Sequence, residues 1–230
     1  MDIRILELVE GAREARGLTV IIDVLRAFSL ECFLADLGAS LVRPVGSVEE
    51  AFRLRNQFPD SLLIGERGGK MCEGFDFGNT PSGIRREDVA GKLVFHTTSA
   101  GTQGIVHATG AEEIITGSLV NAAAVVRYIR ARNPMEVSLV AMGNGGIRRA
   151  PEDVLCAEYI RSMLLDVPMP DLSDCIDQLP THGAEHFFDP AQAEVFPTAD
   201  FYLCTRPDQF DFVLKVEKDA VGWKSIRVNV

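Results

Sequence analysis

The sequence predicts an α/β protein of three layers, in which helices cover both faces of a mainly parallel sheet. Apolar runs rich in β-branched residues alternate with segments of helical character, the order typical of parallel sheets. Three of these runs pass through a polar loop into a helix, within residues 18–37, 92–108 and 137–165. The 230 residues are 47% apolar, which is enough for a substantial core, and no linker interrupts them. We therefore predict a single domain over residues 1–230.

The individual elements follow from periodicity and from end signals. Gly38 occupies a C-cap position, and Ser47 with Glu50 forms a capping box, so both mark helix ends. The predicted helices are 27–37, 48–58, 102–108 and 154–165, and the predicted strands are 18 to about 22, 41–45, 61–65, 92–96, 137–141, 200–204 and 212–216. Because ligands of such sheets bind beyond the carboxyl ends of the strands, the polar loops are expected to share one edge.

Charge and composition exclude several classes of protein. A formal net charge of -10 argues against a nucleic-acid-binding face, although a small anionic ligand can still bind where arginines are concentrated. The five cysteines form no zinc or CxxC spacing, and no apolar run approaches the ~20 residues of a membrane helix. We therefore expect a cytoplasmic protein with reduced thiols, no membrane partner and a small anionic substrate. Whether it forms a homodimer stays open.

Carboxylates at strand ends and in a glycine-rich segment are the candidate metal ligands. Asp23 follows the first predicted strand, and residues 65–83 form a long loop with six glycines that carries Glu66 and Asp76. Oxygen ligands of this kind favour Mg²⁺ over Zn²⁺. Glu152 and Asp153 are reserve ligands. Each also has a plain structural explanation, because Asp23 can cap a helix and acids in a first helical turn can pair with the helix dipole.

Other side chains in the same loops suit a bound anion. Residues 97–102 place hydroxyl groups between a strand and a helix, where they can form an anion cradle or simply a helix cap. Residues 142–146, followed by two arginines, are a second candidate nest for an anion. The candidate substrate-binding residues are Asn79, Thr98, Ser99, Gly101 and Thr102, and the arginines placed to pair with an anion are Arg26 and Arg67.

Five segments in order resemble the signature of the 2-phosphosulfolactate phosphatase family. They are 22–27 (IDVLRA), 65–69 (GERGG), 74–81 (GFDFGNTP), 97–102 (TTSAGT) and 151–153 (PED). The resemblance implies a fold of two similar intertwined halves. It also implies Mg²⁺-dependent hydrolysis of (2R)-phospho-3-sulfolactate to 3-sulfolactate and phosphate, a step of coenzyme M biosynthesis. The catalytic residues would then be Asp23, Arg26, Glu66, Arg67 and Asp76.

Two positions depart from the pattern of the family. Ala100 stands where the family typically has Asn, and Glu158 stands where a Gly is usual. Loss of an amide could alter recognition of the substrate while leaving the metal in place. Two alternatives therefore stay open: a Mg²⁺-dependent phosphatase acting on another small phosphorylated hydroxy acid, and a non-catalytic anion-binding protein of the same fold.

Overall fold

A computed structural model describes all residues, 1–230, as ten strands, nine α-helices and five short 3₁₀ turns. The strands are β1 (Asp2–Glu7), β2 (Gly17–Ile22), β3 (Leu41–Pro44), β4 (Leu62–Arg67), β5 (Lys70–Met71), β6 (Leu93–Thr97), β7 (Ala111–Gly117), β8 (Glu136–Ala141), β9 (Phe212–Lys218) and β10 (Trp223–Asn229). The helices are α1 (Leu8–Glu14), α2 (Ala27–Asp36), α3 (Val48–Gln57), α4 (Arg86–Val89), α5 (Gly101–His107), α6 (Ala122–Arg132), α7 (Pro151–Leu165), α8 (Leu172–Gln178) and α9 (Thr198–Thr205).

All ten strands join one mostly parallel sheet, in the order β1-β8-β2-β7-β9-β10-β3-β6-β4-β5. Strands β1, β8, β2 and β7 form a first parallel group, and β3, β6 and β4 form a second. The antiparallel hairpin of β9 and β10 lies between them and pairs with β7 and β3. Because three antiparallel pairings separate the groups, the two groups run in opposite directions. The predicted α/β class is confirmed, whereas the expectation of one shared strand edge is wrong.

Alternating side chains of the strands enter cores on opposite faces of the sheet. In β2, Val20 and Ile22 pack against α6 and α7, whereas Ile21 packs on the other side with Ala12 of α1 and Ile105 of α5. A strand buried on both faces reads as a continuous apolar run, which is why β2 is so easily recognised in the sequence. Helices on both faces give the predicted three layers.

Two helices cross from one group of strands to the other. Helix α2 follows β2 of the first group, but its Leu30 and Leu34 pack with Val42 and Val94 of the second. Helix α5 follows β6 of the second group and packs on the first through Ile105. The groups are therefore intertwined, and the starts of α2 and α5 lie against each other, Gly101 against Ala27 and Phe28.

The sequence-based elements are largely confirmed, with additions and two errors. Residues 200–204, predicted as a strand, belong to helix α9, and residues 65–67 and 70–71 of the predicted loop belong to β4 and β5. The sequence did not predict strands β1, β7 and β10 or helices α1, α4, α6 and α8. No helix has the length and apolar character needed to cross a bilayer.

Candidate functional site

Loops from both groups of strands surround one cleft of about 440 Å³. The contributing segments follow β2, β4, β6 and β8, and residues 183–196 close one side. The predicted site residues that line it are Asp23, Arg26, Glu66, Asn79, Ser99, Glu152 and Asp153. The crossing of α2 and α5 explains why loops of oppositely directed strands meet here, since Asp23 precedes α2 and Ser99 precedes α5.

Asp23 lies at the start of both crossing helices. Its Oδ1 accepts a hydrogen bond from the backbone N–H of Ala27, 3.0 Å away. Asp23 therefore caps α2, which was one of the two roles that the sequence suggested for it. A Cβ atom at Gly101 would lie 2.9 Å from Asp23 Oδ2, so only glycine allows this approach. Burial, with a further contribution from the charge of Glu66, raises the pKa of Asp23 to about 6.

Glu66 ties the loop after β4 to the loop after β6. Its Oε1 accepts a hydrogen bond from the backbone N–H of Ser99 at 2.6 Å. Its Oε2 accepts from the N–H of Gly69 at 2.6 Å and from the Ser99 hydroxyl at 3.2 Å. Both carboxylate oxygens are therefore occupied, and Glu66 holds the shape of the cleft wall.

Glu152 and Asp153 open α7 at the floor of the cleft and differ in their partners. Asp153 accepts hydrogen bonds from the backbone N–H groups of Val24, at 2.7 Å, and Gly143, at 2.8 Å. Glu152 is only 6% exposed, yet its Oε2 has no partner. Burial and the charge of Asp23 raise the pKa of Glu152 to about 7, and burial raises that of Asp153 well above its usual range. A buried, unpartnered carboxylate oxygen is costly and is suited to receive a cation.

The residues fit a magnesium ion held through few protein ligands. No group of three or more His, Cys, Asp or Glu side chains is arranged to hold a metal ion. Among the five expected ligands, Glu152 keeps one oxygen without a partner. Asp23 lies close enough for its charge to raise the pKa of Glu152. Glu66 and Asp153 accept N–H or hydroxyl groups at both oxygens. Mg²⁺ commonly binds through one or two carboxylates, with waters and substrate phosphate completing the octahedron. Asp23 and Glu152 could supply these two carboxylates.

Arg26 lines the cleft, but its charge is already paired. Nη1 lies 2.7 Å from Oδ2 of Asp200 in α9, and the two side chains are 3% and 0% exposed. The same nitrogen donates to the carbonyl of Val195 at 2.9 Å, and the guanidinium lies 5.1 Å from the ring centroid of Phe196. Arg26 therefore fastens residues 195–200 to the cleft wall, in contrast to the sequence expectation that it faces the anion.

Two of the expected catalytic residues lie outside the cleft. Asp76 Oδ2 forms an ion pair with Arg55 and accepts the backbone N–H of Leu63 at 2.7 Å, so it fixes the loop to the edge of the sheet. Arg67 is exposed in a neighbouring groove, where it donates to the Thr97 hydroxyl at 3.0 Å. The sequence of a glycine-rich loop does not indicate which way each charged side chain points. Here the side chains of Asp76 and Arg67 point away from the cleft.

The hydroxyl loop divides between the cleft and the core. Thr98 and Thr102 are buried and exchange hydrogen bonds between each hydroxyl and the backbone N–H of the other, at 3.1 and 3.2 Å, so they form a cap rather than an anion cradle. Ser99 lines the cleft, as does Ala100, the first departure from the family pattern. The second, Glu158, pairs with Arg161 in another groove.

Asn79 reaches the cleft from a buried polar network. Its Oδ1 lies 3.3 Å from Nε2 of His96, whose Nδ1 lies 2.9 Å from Oε1 of Glu31. Glu31 in turn accepts a hydrogen bond from the Ser225 hydroxyl in β10 at 2.8 Å. His96 is fully buried and outside the cleft lining, so it orients Asn79 rather than meeting a ligand.

Several cleft residues have no role in the sequence-based site. Asn144 belongs to the predicted nest after β8, and Arg148 follows it, but neither was among the site residues that the sequence predicted. His186, Gln192 and Phe196 come from irregular turns between α8 and α9. Burial, together with the charge of Arg26, lowers the pKa of His186. Only the glycines and arginines after β8 gave a sequence signal, since the later turns have no periodic pattern.

The fold and the cleft define an α/β protein whose buried carboxylates suit a metal ion and a small anionic ligand. The sequence profile of the 2-phosphosulpholactate phosphatase family matches residues 3–219. The chain belongs to this family, as the sequence resemblance predicted, and the description of the family is that of phosphoric monoester hydrolases.

Curated relatives agree with this membership. A probable 2-phosphosulfolactate phosphatase of Caldanaerobacter subterraneus is 35% identical over 216 residues, covering 88% of each chain. That of Bacillus subtilis is 28% identical over 206 residues, again covering 88% of each. That of Thermotoga maritima is 37% identical over 170 residues, covering 74% of this chain and 69% of the relative.

Proposed function

We propose that this protein hydrolyses (2R)-phospho-3-sulfolactate to 3-sulfolactate and phosphate with Mg²⁺, as in coenzyme M biosynthesis, in the cytoplasm. The observation that supports the proposal most is that the signature segments meet in one cleft. All five segments that resemble the family signature, far apart in the chain, contribute residues to one cleft, among them Asp23, Glu66, Asn79, Ser99 and Glu152. The five cysteines are free thiols, which agrees with a reducing compartment.

The residues divide into ligands and supports. Asp23 and Glu152 would hold Mg²⁺, which supplies neutralising charge to the phosphoryl oxygens and polarises the attacking water. Glu66 and Asp153 fix the loops that carry the other groups, through the backbone N–H bonds described above. Asn79 lines the cleft with one edge of its amide while the other contacts His96, so it can offer a hydrogen-bonding group to the substrate.

The test is phosphate release by the purified protein from (2R)-phospho-3-sulfolactate, with Mg²⁺ and again with EDTA. We expect metal-dependent release, lowered at least ~100-fold in Asp23→Asn and Glu152→Gln through lost electrostatic stabilisation. Glu66→Gln should also lower it, because the change breaks hydrogen bonds that hold the cleft wall. Asp76→Asn is the matched control and should stay within about twofold, because Asp76 pairs with Arg55 outside the cleft. Wild-type rates in the three cleft variants would refute their roles, and no release from any phosphate ester would leave only anion binding.

Ala100 gives specific support to a second substrate. It lines the cleft where the family typically has an amide, so this cleft lacks a polar group that the family typically has there. The alternative is a phosphatase for another small phosphorylated hydroxy acid. Equal kcat/KM values for phospholactate or phosphoglycolate and for phosphosulfolactate would establish this alternative and remove the sulfonate from the assignment.

A further inference from the structure

The cleft contains more acidic than available basic side chains. Four carboxylates line it, and two of its three arginines are already committed: Arg26 to Asp200 at 2.7 Å and Arg149 to Glu7 at 3.0 Å. Arg148 also lines the cleft, is exposed, and forms neither an ion pair nor a side-chain hydrogen bond. An anionic ligand entering this cleft therefore meets one arginine whose charge is unopposed.

The backbone that carries Arg148 is firmly placed. Asn144 and Arg148 exchange backbone hydrogen bonds of 2.7 and 3.2 Å, closing a tight turn in which Gly145 and Gly146 have positive φ. The turn is anchored to α1, because the carbonyl of Gly146 accepts from the N–H of Val9 at 3.1 Å. Ordering of the guanidinium on binding therefore costs side-chain entropy alone, since its backbone is already fixed.

Depth within the cleft decides which part of a substrate Arg148 meets. Asp23 and Glu152 are each only 6% exposed, whereas Arg148 is exposed at the mouth. A phosphoryl group would have to reach the buried carboxylates to share a metal ion held there. The rest of a short substrate is then left near the mouth, where a planar guanidinium can bind a sulfonate or carboxylate through two N–H groups.

We infer that Arg148 binds one of the anionic groups of the substrate other than the phosphoryl group, the sulfonate or the carboxylate, and so sets specificity for small phosphorylated acids. The inference rests on the proposed function and deepens it. Arg148 acts by binding and does not touch the phosphoryl group. Arg149 is its matched control, since it is the neighbouring exposed arginine and its charge is paired with Glu7.

The experiment compares Arg148→Gln with Arg149→Gln on two substrates. For (2R)-phospho-3-sulfolactate, Arg148→Gln should lower kcat/KM by about tenfold to a hundredfold, mainly through KM, which is the scale of a lost charge-assisted hydrogen bond. For 4-nitrophenyl phosphate, which has no second anionic group, the loss should be at least ~10-fold smaller. Arg149→Gln should lose less than about threefold on both.

Calorimetric titration with 3-sulfolactate separates this inference from the proposed function, because 3-sulfolactate carries no phosphoryl group. Binding should weaken at least tenfold in Arg148→Gln and change little in Arg149→Gln. Such a result without phosphatase activity would refute the proposed function and uphold the binding role. Equal losses on both substrates, or unchanged 3-sulfolactate binding in Arg148→Gln, would overturn the role of Arg148.

Discussion

The ion pair between Arg26 and Asp200 gives a sharp test of how the cleft is held together. Asp200 is fully buried and uses both oxygens, Oδ2 with Arg26 at 2.7 Å and Oδ1 with the backbone N–H of Ser82 at 2.9 Å. Asp200→Asn keeps the shape but leaves the guanidinium buried without a counter-charge. Removing one partner of a buried pair costs about 3–5 kcal/mol. Since Arg26 keeps its bonds to Val195 and Thr80, we expect about 3 kcal/mol.

The assay is urea unfolding, with thermal unfolding as a second measure. A loss of about 3 kcal/mol corresponds to a fall of roughly 6–12 °C in Tm for a chain of this size. The matched control is Asp166→Asn, which breaks a pair of similar length, 2.8 Å to Arg130, between side chains that are 49% and 84% exposed. The Asp166→Asn variant should have the same free energy of unfolding and Tm as the wild type. A loss below about 1 kcal/mol in Asp200→Asn, or equal effects of the two changes, would refute the reasoning.

Two further predictions concern the close approach and the charges within the cleft. Gly101→Ala places a methyl group 2.9 Å from Asp23 Oδ2, so it should lower the free energy of unfolding by about 1–3 kcal/mol and lower phosphate release. Gly46→Ala is the control, because its methyl group would have its nearest contact at 3.7 Å, and it should change neither. Asp23 and Glu152 have pKa values raised to about 6 and 7, so the metal-free fold should lose stability as pH rises from 5 to 8, since the folded state holds protons that the unfolded chain has released. Thermal unfolding in EDTA should show this fall in stability, and Mg²⁺ should restore the stability at pH 8. Glu152→Gln should make the fall smaller. Stability that stays constant or rises with pH in EDTA would contradict the raised pKa values of Asp23 and Glu152.

The sequence predicted site residues best where local structure fixes their position. Asp23 follows a strand buried on both faces, and Glu152 and Asp153 open a helix, so the ends of these elements determine where the carboxylates lie. Glu66 is similar, because β4 continues to Arg67. Asp76 shows the limit of this reasoning. It lies in a segment without regular secondary structure, and its partner Arg55 belongs to helix α3. No local sequence pattern predicts a contact of this kind.

Long-range packing decided the features that the sequence did not reveal. Asp200 was predicted within a strand because residues 200–204 are mainly apolar, but they form a helix whose first turn pairs with Arg26, 174 residues away. The opposite directions of the two strand groups depend on β9 and β10, and only part of that hairpin had a recognisable pattern. Pairing partners are set by tertiary contacts, which single-sequence periodicity does not encode.

The hairpin of β9 and β10 has a consequence for biosynthesis. It supplies the hydrogen bonds that join the two strand groups, and Ser225 in β10 also closes the network behind Asn79. These residues leave the ribosome after every cleft loop has been made. The cleft can therefore reach its final form only after the hairpin has been synthesised, and a truncation before Trp223 should leave a chain that chaperones retain and proteases degrade.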